Sequence, residues 1–103
     1  MTNEQITALI AEIREDFQIP PYFEDNVIER AVRRCTARLT DLKEDADFQT
    51  DLVGRGLLGN YVYYALNHRD EEFMQCYGPD IRSWQLSAEA RGSDEPDENT
   101  GNA

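Results

Sequence analysis

His68 is the only histidine, so an imidazole general base in this chain has to be this residue. Such a base needs a nucleophile to activate and a partner to orient its ring, and the sequence defines neither. His68 falls near the expected end of a helix, where a positive ring suits the helix dipole. Cys35 and Cys76 are too few and too isolated for a disulfide framework or a zinc site. Both occupy apolar positions of helical patterns, where a thiol acts as a small hydrophobe. Gly54-x-Gly56-x-x-Gly59 has the spacing of a dinucleotide fingerprint, yet it lies within an apolar helical run rather than after a strand. Close helix packing is the expected reason for these glycines. Carboxylates are abundant, but paired-carboxylate chemistry needs two of them in a cleft with separated pKa values. Here they sit on polar faces and in the C-terminal segment. The expectation is a non-enzymatic protein with no cofactor and no metal.

The feature that rises above this background is electrostatic. Arg30, Arg33, Arg34 and Arg38 place four of the ten basic residues within nine positions. At helical spacing Arg30, Arg34 and Arg38 form one stripe with Arg33 beside it. A solvated face, with Glu29 pairing locally, is the plain explanation. The functional one is a subunit interface: in an acidic protein the nearest acidic surface is another copy, and head-to-tail packing would bring the two together. The aromatic residues Tyr61, Tyr63, Tyr64, Phe73, Tyr77 and Trp84 exceed what a small core needs. The three tyrosines cannot all face inward, so at least one belongs at the surface or at an interface.

These residues are positioned by helices. Thr2 and Gln5 form a capping box, followed by Ile6, Leu9, Ile10, Ile13 and Phe17 on one face, over roughly residues 3–17. Pro20-Pro21 stops that helix. Asp25 or Asn26 caps a second helix with a stripe of Ile28, Ala31, Val32, Cys35, Leu39 and Leu42. The charged run Lys43-Glu44-Asp45-Ala46-Asp47 closes it. Thr50 or Asp51 caps a third, carrying Val53, Leu57, Leu58, Tyr61, Tyr64 and Ala65 and ending near Leu66-Asn67. A fourth carries Phe73, Tyr77, Ile81 and Trp84, and Gly78-Pro79 should kink or split it. The fold expected is all-α: a bundle of about four helices over residues 1–86, then an extended acidic tail over 87–103. The tail holds Glu89, Asp94, Glu95, Asp97 and Glu98 against Arg91 and buries too little to fold alone.

The net charge of −11 disfavours binding to DNA, RNA or anionic membranes. The N-terminal residues lack the pattern of a signal peptide, and no apolar run reaches the length of a membrane span. A soluble protein made in the cytoplasm is expected.

The run Gly54-Arg55-Gly56-Leu57-Leu58-Gly59-Asn60-Tyr61-Val62-Tyr63-Tyr64-Ala65-Leu66-Asn67, followed by Phe73, Tyr77, Ile81 and Gln85-Leu86, resembles the C-terminal half of the head-tail connector (adaptor, head-completion) proteins of tailed bacteriophages. One short helix, a break and a longer amphipathic helix are similar to the family's N-terminal half. The resemblance implies a homo-oligomeric ring, twelvefold, beneath the portal at the virion neck. The ring would extend the DNA channel and dock the tail or a stopper protein. DNA would pass without tight binding, helped by a negative wall. Candidate subunit contacts are Arg30, Arg33, Arg34 and Arg38. Candidate portal or neighbour contacts are Tyr63, Trp84, Asp94, Glu95, Asp97 and Glu98. The alternative is an acidic regulatory module, an inhibitor or DNA mimic, gripping a basic protein. The arginine stripe speaks against it, because a mimic should not display one.

Overall fold

The computed structural model describes the backbone of residues 1–93 and the side chains of residues 1–87, and every regular element among them is helical. The elements are α1 (Asn3–Asp16), α2 (Asp25–Leu42), α3 (Leu52–Leu66), α4 (Asp70–Cys76) and α5 (Gly78–Ser93).

α1 starts at the capping box. The Gln5 amide donates to Thr2 Oγ1 at 3.1 Å, and the Thr2 amide donates to Gln5 Oε1 at 2.9 Å. It ends before the prolines are reached. Gln18 adopts φ 50°, and the Ile19 amide donates back to the Arg14 carbonyl at 3.0 Å. This is a Schellman-type close with glutamine at the left-handed position usually held by glycine. Ile19 is buried beyond it, and Pro20 then prevents any resumption. α2 is flanked by Glu24, one residue earlier than expected, and the Glu24 side chain makes no capping bond. Asp25 instead pairs with Arg14 of α1 at 2.7 Å.

Residues 43–51 pass from α2 to α3 with Phe48 buried. Asp51 caps α3, its Oδ1 accepting from the Gly54 amide at 3.1 Å. The far end of α3 is a complete Schellman motif. His68 sits at φ 58°, its amide donates to Ala65 O at 3.0 Å, and the Arg69 amide donates to Tyr64 O at 2.8 Å. Gly78-Pro79 splits the expected fourth helix into two, so the described residues hold five helices where about four were expected. Pro79 falls in the first turn of α5, where its missing N–H costs no helical bond. α5 continues through Ser93, past the boundary expected at residue 86.

The core joins Ile6, Leu9 and Ile13 of α1, Ile28, Val32 and Leu39 of α2, Leu58 and Val62 of α3, Phe73 of α4, and Ile81 and Trp84 of α5. α3 packs against α2, α4 and α5, while α1 packs on α2. Arg55 reaches back from α3 to α1 and grips both carboxylate oxygens of Glu12, at 2.7 and 3.1 Å.

Candidate functional site and interaction surfaces

His68 is exposed, and its position is accounted for by the backbone turn it makes. Cys35 is buried in α2, and desolvation pushes its thiol up to about 12, so it stays protonated. Cys76 departs from expectation: it lies exposed at the end of α4 rather than on an apolar face. Among the described residues no cluster of three or more His, Cys, Asp or Glu could hold a metal ion. No helix among them is long and apolar enough to cross a membrane.

The charged run closing α2 hides an ionic cluster that sequence reading missed. Lys43 turns inward and is buried, its ammonium 3.3 Å from Asp51 Oδ2 and 4.6 Å from the centre of the Trp84 ring. The indole N–H of Trp84 donates to the same carboxylate oxygen at 2.6 Å. Burial works to raise the Asp51 carboxyl. The bonds from Trp84, the Gly54 amide and Lys43 outweigh it and hold the group below its ordinary value of 3.8. Gly54 makes room for this contact. A Cβ there would stand 2.9 Å from Trp84 Nε1, which leaves no space for alanine.

Trp84, expected as a portal or neighbour contact, lies in the core of the subunit. Its ring is 2% exposed and packs at 6.1 Å from Phe48, inside the molecule. The aromatic excess is likewise spent largely on joining α3 to α4: Tyr61 and Tyr77 stack on opposite sides of the sequence around Phe73, at 4.5 and 4.7 Å. Tyr63 is the tyrosine of the three that reaches the surface, 38% exposed and stacked on Phe17 at 5.0 Å. Asp94, Glu95, Asp97 and Glu98 lie outside the described residues.

The arginines of α2 divide. Arg33 pairs with Glu29 at 2.9 Å and is accounted for locally. Arg30, Arg34 and Arg38 are exposed, and none forms an ion pair within the described residues. Arg34, Arg38 and Asp41 line one side of a groove that has Tyr61, Ala65, His68 and Asp70 on its other side.

A second surface was not foreseen. α3 has a single charged residue, Arg55, and is apolar on all sides, the pattern of a helix surrounded by protein. Yet its outer edge is open: Leu52 is 78% exposed and Val53 63%. Gly56 continues this edge, and a Cβ there would meet nothing within 4 Å. By contrast, a Cβ at Gly59 would press on the Phe17 ring at 3.3 Å. Internal packing thus explains Gly54 and Gly59 and does not explain Gly56. Grooves flank the edge, one bordered by Asp16 of α1 and the other by Asp80 of α5.

No family model, curated protein or solved structure matches this chain.

Proposed function

We propose that this chain is a structural subunit of a head-tail connector, forming a ring below the portal of a tailed phage or prophage. One observation carries the reading: among the described residues two surfaces are left without partners, the arginine stripe of α2, which forms no ion pair there, and the open apolar edge of α3. An apolar helix edge of this kind is a mark of protein contact rather than of small-molecule chemistry. The residues at 54–86 that carry the resemblance to connector proteins include the core of the α3–α4–α5 unit, so the likeness concerns packing and not a catalytic motif. An acidic outer surface suits a channel through which DNA slides. The inhibitor or DNA-mimic alternative is less well supported, because a mimic has no use for a bare arginine stripe.

Deletion of the gene from the phage or prophage that encodes it tests the role. DNA-filled heads without tails are the expected product. Tailed, infectious particles formed without the chain would overturn it.

A further inference from the structure

Glycine within a helix gives up backbone freedom that another contact has to offset. Gly54 and Gly59 have such contacts in Trp84 and Phe17, whereas the space over Gly56 is empty. The reason for Gly56 is then to be sought outside the subunit, in something that approaches the α3 backbone closely. The surroundings say what that partner carries. Leu52 and Val53 offer apolar surface at one end of the edge, and Asp16 and Asp80 border it on either side. Neither aspartate forms an ion pair within the described residues. An elongated cationic surface with apolar stems fits this, and the chain itself bears one.

We propose that the outer edge of α3, centred on Gly56, is the seat for α2 of a second copy, with Arg30, Arg34 and Arg38 facing Asp16 and Asp80. This rests on the connector reading and names the surfaces by which its subunits meet. The arginine stripe from Arg30 to Arg38 and the edge from Leu52 to Asn60 each span nine residues of helix, eight steps and about 12 Å at the α-helical rise. Arginine stems lie readily on apolar side chains while the guanidinium reaches a carboxylate. The grooves beside Gly56 are lined by α1, α3 and α5, with no residue from α2. Donor and acceptor are therefore different surfaces of the subunit, and the contact is heterologous, the type that generates rings when the rotation closes.

Sedimentation velocity of the full chain over a wide concentration range at low salt provides the test. A donor variant carries Arg30→Ala, Arg34→Ala and Arg38→Ala. An acceptor variant carries Asp16→Lys, Gly56→Gln and Asp80→Lys. The native chain should associate beyond dimers, and each variant alone should associate at least about tenfold more weakly, with its helical circular dichroism retained. An equimolar mixture should form a one-to-one dimer and stop there, since each partner retains one sound surface. Gly56→Ala covers the case of an acceptor variant that unfolds: it should leave a folded subunit and weaken association. A native chain that stays monomeric, a donor variant that associates like the native chain, or a mixture that does not pair overturns the proposal. None of these results touches the deletion phenotype, which decides the connector role separately.

Discussion

Asp51 and Trp84 lie 33 residues apart and are joined by a 2.6 Å hydrogen bond from the indole N–H to carboxylate Oδ2. The same carboxylate caps α3 and faces the buried ammonium of Lys43, so one side chain ties the α2–α3 connection, α3 and α5 together.

Removing Asp51 should therefore do more than remove a helix cap. Asp51→Ala leaves Lys43 buried without its counter-charge and is expected to cost about 3–5 kcal/mol. Lys43→Met removes the charge and its desolvation together, so it should cost much less than Asp51→Ala. Urea unfolding with an unchanged slope measures both. If Lys43→Met is as damaging as Asp51→Ala, the cluster is not held together as described.

The same carboxylate sets a pH dependence. Its folded-state pKa lies below 3.8, so its contribution is fully present above the unfolded value and is lost as pH falls through the lower folded value. Stability of the native chain should drop in that acid range more steeply than that of Asp51→Asn. Parallel curves would assign the acid sensitivity to other carboxylates.

The glycines of α3 should respond with opposite signs. Gly54→Ala forces the indole away from Asp51 and is expected to destabilise by about 1–3 kcal/mol. Gly56→Ala meets no atom and should stabilise the subunit by about 0.5–1 kcal/mol. Thermal unfolding of the isolated subunit distinguishes them. Two losses of equal size would contradict the open space drawn at Gly56.

Helix ends offer a further check, because Gln18 and His68 occupy left-handed backbone where glycine is favoured. Gln18→Gly and His68→Gly should each raise stability by up to about 1 kcal/mol, several degrees in Tm for a domain of this size. A marked loss at His68→Gly would show that the imidazole has a role its exposed position conceals.

The helices were legible in sequence because their burial is periodic: Ile28, Val32, Cys35 and Leu39 recur at three- and four-residue steps and are all buried. What escaped notice depends on single residues without periodicity. Lys43 stands in a charged run and reads as solvated, whereas its depth comes from Asp51 and Trp84, partners known only once the chain is folded. Phe48 is a lone aromatic in a connection and forms no pattern. Trp84 reads as surplus to the core until Gly54 is seen to admit it. The arginine stripe was visible from spacing alone. Its acceptor was not, since Asp16, Gly56 and Asp80 come from three helices and only the fold brings them together.

The arrangement of subunits in the particle tests the central claim most directly. Cryo-electron microscopy of the neck of intact virions should show a ring below the portal into which α1–α5 fit, with the α2 arginines of each subunit lying along the α3 edge of the next at Gly56. Density for this chain elsewhere in the particle, or none at the neck, would contradict the connector role. A neck ring whose subunits meet through other faces would keep the role and refute the proposed contact.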